Sequence, residues 1–256
     1  MTSQNTFSSC CLKNFAWDGT PTGHETTLST NPTYVTGTNP TAAVLYVHDA
    51  LGWKFGNARL LADHIAREAN VTVYMPDFFG GEELDKSAIL QGRFQDLDIV
   101  GFTTRNSREI REPEIFACAK ALKDMGHHKI GAMGYCYGGW GVLRLAAPQP
   151  PLHTPLVDAI VCAHPSWVTK ADIDDVATPI QFLAPENDDY FPPELKLYAF
   201  QKLVLEKKSV PVEWVHFPGV AHGCLTKGDE KVEGEREAMA KGKDSVVNWF
   251  RQWLTV

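Results

Sequence analysis

The chain has 256 residues, a net charge of −7 and six cysteines, and 44% of its residues are hydrophobic. That length fits one large domain with a sizeable buried core, while the acidic balance argues against nucleic acid, which wants a basic surface, and leaves small anionic substrates open. No apolar run reaches the roughly 18 residues of a membrane span. The opening MTSQNTFSSCCLKNFAWDG has no basic flank leading into an apolar stretch, so the reading is no membrane, no secretory leader and a cytoplasmic location. Six cysteines in a chain this long read as reduced thiols rather than a disulfide framework, and the adjacent Cys10 and Cys11 lack the spacing of a zinc site.

Residues 1–40 are rich in Ser, Thr, Asn, Pro and Gly and read as an N-terminal extension with edge strands. The turn-dense Asp18-Gly19-Thr20-Pro21-Thr22-Gly23 is placed at a hairpin tip or irregular loop. From residue 41 to 256 a strand–helix alternation sets in. Residues 43–47 make a buried strand. Residues 57–68 make a helix with Leu60, Leu61, His64 and Ile65 on one side. Residues 71–75 form a strand ended by Pro76. Residues 78–108 resist assignment beyond a loop at Phe79-Gly80-Gly81 and short helices over the site. A helix over 109–125 is expected to break near Pro113. Residues 129–133 are a strand and 138–146 a helix. Strands follow at 157–163 and 179–183, the second expected to enter at an edge because of Pro179. A helix spans 193–205 with proline at its start, 212–217 is the last strand and 233–254 a long final helix. This alternation implies an α/β fold: a mostly parallel, doubly wound sheet with helices on both faces and working residues at the carboxyl ends of strands.

The most informative stretch is Met133-Gly134-Tyr135-Cys136-Tyr137-Gly138-Gly139-Trp140-Gly141. It lies between a strand and a helix and fits a nucleophile elbow, small-x-nucleophile-x-small, with Cys in the nucleophile position. Glycines are needed there because side chains two residues either side of a tight turn would collide. The following helix N-terminus favours developing negative charge beside the sulfur. The plain structural alternative is a glycine-rich turn with a buried cysteine. A nucleophile needs a base, and a base needs an orienter. The acidic loop Pro185-Glu186-Asn187-Asp188-Asp189-Tyr190-Phe191-Pro192 and then Gly219-Val220-Ala221-His222-Gly223 follow in that order, each after a strand.

These pieces resemble the dienelactone hydrolase family. Gly134 to Gly139, the acidic loop with Pro192 four residues after Asp188, and Ala221-His222-Gly223 carry the likeness. His48-Asp49-Ala50-Leu51-Gly52 resembles that family's oxyanion and acidic-switch segment, and Tyr74-Met75-Pro76-Asp77-Phe78-Phe79-Gly80 its proline–aspartate turn. The stretch from Cys11 to Gly23, with Ala163-His164-Pro165-Ser166-Trp167, looks most like the fungal, cytosolic branch. The resemblance implies an α/β-hydrolase fold with residues 41–256 as the catalytic domain. It also implies Cys136 as nucleophile, His222 as base and Asp188 as orienter, preferred over Asp189 on the spacing to Pro192. Backbone N–H groups of Tyr137 and Ala50 would form the oxyanion hole, with Leu51 the alternative. Asp49 stands where bacterial members carry the longer Glu, so it is a shorter acidic switch or a loop anchor. Arg93 is a candidate for holding a substrate carboxylate, and Lys227 stands where an arginine is expected; the plain reading of both is solvated surface charge. Leu51, His164, Trp140 and Trp167 are candidate substrate contacts, against core packing for the aromatic ones; His48 is read as structure or pocket wall.

The implied activity is opening of activated esters or enol lactones through a thioester acyl-enzyme. Two other classes stay open: a non-hydrolytic protein on this scaffold that binds, cyclises or isomerises a small metabolite, and a redox-sensing thiol protein. No cofactor or metal is called for, the partner is a small ester or lactone, and a monomer or homodimer is the default.

Overall fold

Among the described residues eight strands of five to ten residues form, most of them apolar runs between turn signals: β1 (His24–Leu28), β2 (Asn31–Thr36), β3 (Ala42–Val47), β4 (Thr72–Pro76), β5 (Lys129–Tyr135), β6 (Ala159–Ala163), β7 (Ile180–Asn187) and β8 (Val212–Ala221). They form one sheet in the order β1-β2-β4-β3-β5-β6-β7-β8 in a computed structural model that describes residues 17–85, 88–89, 93–151 and 153–255. The β1–β2 and β2–β4 pairs are antiparallel, and every pair from β4 to β8 is parallel. The helices are α1 (Gly56–Ala69), α2 (Ile99–Arg105), α3 (Arg108–Asp124), α4 (Gly138–Leu145), α5 (Lys170–Asp174), α6 (Pro193–Phe200), α7 (Cys224–Lys227) and α8 (Glu235–Leu254).

Alternation along β3 divides the core into two layers. Ala43, Leu45 and Val47 pack with Ile115 of α3 and Trp140 and Leu143 of α4. Ala42, Val44 and Tyr46 pack with Leu61 and Ile65 of α1 and Val246 and Phe250 of α8 on the other face. The chain leaves β3 toward β4 on one side and returns to β5 on the other. Strand order therefore reverses between β3 and β5, which opens a crevice at their carboxyl ends. The register pairs Val47 with Gly134, so the loop after β3 lies beside the turn after β5. Among the described residues no helix is long and apolar enough to cross a membrane.

Several elements differ from the sequence expectation. The hairpin tip is at Ser29 and Thr30, where Ser29 takes a left-handed φ of 55° without any glycine; of the two readings of 18–23, hairpin tip or irregular loop, the second holds. Pro113 does not break α3, which runs through it; it stands in the helix's second turn, where it forfeits a single intrahelical bond. The buried face of α1 is Ala58, Leu61, Ala62, Ile65 and Ala66, with His64 exposed. Pro179 precedes an interior strand, since β7 lies between β6 and β8; its carbonyl accepts from the N–H of Ile160. The 193–205 helix is two pieces, α6 and a π-helical turn over Gln201–Glu206. Cys10 and Cys11 lie outside the described residues.

Candidate active site

The turn between β5 and α4 places Cys136 at φ 50°, a left-handed conformation rare for a side chain other than Asn or Asp. Only glycines fit around it. A Cβ on Gly134 would lie 2.2 Å from the Gly138 carbonyl oxygen, and one on Gly138 would lie 2.0 Å from that of Val47. The turn is stitched to the loop after β6. Cys136 N–H donates to the Ala163 carbonyl (3.1 Å), and the Cys136 carbonyl accepts from Gly139 N–H (3.0 Å) and Ser166 N–H (2.8 Å). Cys136 is buried, and its Sγ lies 3.3 Å from Ser166 Oγ, a hydroxyl with no solvent exposure. Tyr137, the other residue of the turn, sits at the start of α4.

Asp188 follows β7 and His222 follows β8. The His222 backbone N–H donates to the Asn187 carbonyl (2.9 Å), which holds the two strand ends together. His222 Nδ1 donates to Asp188 Oδ1 (2.9 Å), and that oxygen also accepts from the N–H groups of Tyr190 (3.0 Å) and Phe191 (3.1 Å). Burial raises the Asp188 carboxyl, but the charge and hydrogen bond of His222 and the Phe191 N–H outweigh it, so the group is held below its ordinary value. Fixed this way, the carboxylate sets the His222 tautomer that leaves Nε2 as the basic nitrogen. His164, one residue beyond Ala163, packs its ring on that of His222 with centroids 4.9 Å apart. Burial pushes His164 well below its ordinary value, so it is neutral, and its two ring nitrogens have no hydrogen-bond partner among the described residues.

The loop after β3 closes the other side. Asp49 is buried, and its Oδ1 accepts from Leu51 N–H (2.9 Å). Burial pushes its carboxyl up to about 6 against the opposing pull of Leu51, Thr226, Lys227 and His222. Since Leu51 N–H is engaged by Asp49, Ala50 is the second oxyanion candidate that the loop leaves. His48 holds the loop from behind: its Nδ1 donates to the Asp49 carbonyl and its Nε2 accepts from Phe78 N–H.

A family model for the dienelactone hydrolase family matches residues 30–254. The chain belongs to that family. It is 26% identical to a hydrolase, tropI, of Talaromyces stipitatus, with 96% of each chain covered, and 28% identical to the carboxymethylenebutenolidase homolog of Mus musculus, with 91% of each covered. A crystal structure of a putative dienelactone hydrolase from Klebsiella pneumoniae superposes with a TM-score of 0.69 at 18% identity, covering 91% of this chain and 99% of that one. Family membership makes this an α/β-hydrolase-fold protein and a carboxylic ester hydrolase.

Within this dienelactone hydrolase family member, the predicted residues divide in two. Cys136, His222, Asp188, Asp49, Ala50, Leu51, Tyr137 and His164 gather at the carboxyl ends of β3, β5, β6, β7 and β8. Trp167, at φ 59°, and Trp140 pack edge-on against the Tyr137 ring, at 5.1 and 5.7 Å between centroids. Arg108 braces both, lying over the Trp140 ring and donating to the Trp167 carbonyl. Arg93 is different: it is half-buried and ion-paired with Asp96. Lys227 is no solvated surface charge. It is buried, and its Nζ donates to the His222 carbonyl (2.9 Å). Sequence reasoning also missed Ser166, whose place beside the sulfur comes from a contact spanning 30 residues.

Proposed function

We propose that Cys136, His222 and Asp188 act as a nucleophile–base–orienter triad that opens activated esters or enol lactones through a thioester. The observation that carries this reading is the buried His222–Asp188 pair at 2.9 Å, on the segments after β7 and β8, with a left-handed cysteine elbow after β5. His222 takes the thiol proton, and the sulfur attacks the acyl carbon. The tetrahedral oxyanion would be held by the N–H groups of Tyr137 and Ala50, donors fixed before the charge develops. The C–O bond to the leaving group breaks as His222 returns the proton. Water, deprotonated by His222, then displaces the sulfur, and Asp188 stabilises the imidazolium at both steps.

A thiolate is itself a good leaving group, so it competes with the group to be expelled from the tetrahedral carbon. Alkoxides and amines lose that competition; enolates, phenolates and thiolates do better. Enol lactones, aryl esters and thioesters are therefore the expected substrates, and peptides and simple alkyl esters poor ones. Among the described residues the sulfur's hydrogen-bond partner is a hydroxyl and not a second thiol, which weighs against the redox-sensor reading. The test is the initial rate on an aryl acetate and on a dienelactone, for the parent and Cys136→Ala. Loss of turnover in the variant supports the triad, and equal rates in both proteins overturn it.

A further inference from the structure

We propose that Ser166 is a further catalytic residue, whose hydroxyl donates a hydrogen bond to the Cys136 thiolate once His222 has taken the thiol proton and again when that thiolate departs. The inference rests on the reading of Cys136 as nucleophile. Ser166 Oγ is 3.3 Å from Sγ, has no solvent exposure, and its side chain makes no other protein hydrogen bond among the described residues. The loop that carries it is fixed from both sides of the elbow, by Cys136 N–H to the Ala163 carbonyl and Ser166 N–H to the Cys136 carbonyl. A buried hydroxyl must place its proton somewhere. With a thiol beside it, either the thiol donates and the serine proton is left over, or the serine donates to a weak neutral acceptor. With a thiolate, the same proton meets a charged acceptor, and the bond is of the stronger, charge-assisted kind.

Asp49, the candidate acidic switch, accepts from Leu51 N–H, whereas the hydroxyl beside the sulfur is that of Ser166. In acylation the Sγ–C bond forms while Ser166 releases part of its hold. In deacylation the water oxygen bonds to the acyl carbon, the C–Sγ bond breaks, and the electron pair returns to a sulfur that Ser166 again solvates. The hydroxyl thus raises the share of thiolate, lowers its intrinsic nucleophilicity and improves it as a leaving group.

These opposed effects give a signature that a packing role cannot copy. Alkylation by iodoacetamide is followed at the Cys136 peptide by mass spectrometry, across pH, in the full-length protein. In Ser166→Ala the pH midpoint of alkylation should move up by about one unit. The rate should then fall about threefold below the midpoint and rise about threefold on the high-pH plateau, because nucleophilicity follows basicity with a slope near 0.4–0.5. The other titratable groups at this end of the sheet include His48 and Asp49 after β3, Tyr135 and Tyr137 at the elbow, His164 after β6, Asp188, Asp189 and Tyr190 after β7, and His222 and Lys227 after β8; the substitution leaves all of them in place. Ser166→Thr, which keeps the hydroxyl, should restore the parent profile. Should Ser166→Ala fail to fold, the near-isosteric pair Ser166→Thr and Ser166→Val asks the same question. A profile that does not move, or one scaled equally at every pH, overturns the proposal. Turnover that survives Cys136→Ala overturns the nucleophile reading instead, and the alkylation profile is measured without turnover.

Discussion

Burial penalises a carboxylate, and Asp49 is held in that state beside the candidate base. Its folded value, about 6, lies above the ordinary carboxyl value of 3.8. The folded protein therefore binds more protons than the unfolded chain between those two values, and stability falls as pH rises through that window. Asp49→Asn keeps an oxygen acceptor for Leu51 N–H and removes the charge. The variant should be more stable than the parent at pH 7–8, by up to about 3 kcal/mol for a two-unit shift, with the gap closing toward pH 4. Urea unfolding at both pH values checks this, and an equal difference at both would show that charge burial is not the cause. Gly134 is constrained by space. A methyl there meets a backbone oxygen at 2.2 Å, and backbone cannot yield as a side-chain tip can. Gly134→Ala should cost about 1–3 kcal/mol of stability, read by thermal unfolding.

At the scale of elements, the segment carrying His222 is pinned from three directions. Lys227 Nζ reaches the His222 carbonyl from the short helix α7, Trp17 Nε1 donates to the Lys227 carbonyl, and Asn57 Nδ2 on α1 donates to that of Thr226. Lys227→Met retains the apolar stem and leaves the His222 carbonyl without its donor. Turnover on an activated ester should fall with little change in KM, and the protein should lose about 1–3 kcal/mol. A change confined to KM would instead assign Lys227 to substrate binding. Much of this architecture was legible in the sequence, because β3 to β8 are short apolar runs and the elbow, acidic loop and histidine follow the chain order of the chemistry. What was not legible is long-range. Lys227 reads as solvated until Trp17 is seen to cover its backbone. Ser166 reads as an ordinary loop residue until the β6 loop is stitched to the elbow. Pro113 reads as a break until it falls early enough in α3 to be tolerated.

Across the whole molecule, two apolar layers clamp one sheet, and Phe250 of α8 packs closely on β5 in the second layer. Its ring sits where any Cβ on Gly131 of β5 would be, 2.7 Å from Cε1, and it is fully buried. Phe250→Ala should cost about 3–5 kcal/mol, lowering the melting temperature while leaving the rate per folded molecule near the parent's well below it. The strand order has one more consequence. The proposed nucleophile follows β5, flanked by β3 and β6, whereas the proposed base follows β8, which among the described residues is an outermost strand paired only with β7 and half exposed over Val212–Val215. Outer strands open to solvent in excursions far smaller than global unfolding. On warming, amide protons of β8 should exchange with deuterium before those of β5, and catalysis should fade while tryptophan fluorescence and calorimetry still report an intact protein. The enzyme would be silenced reversibly from its rim, several degrees before its centre melts.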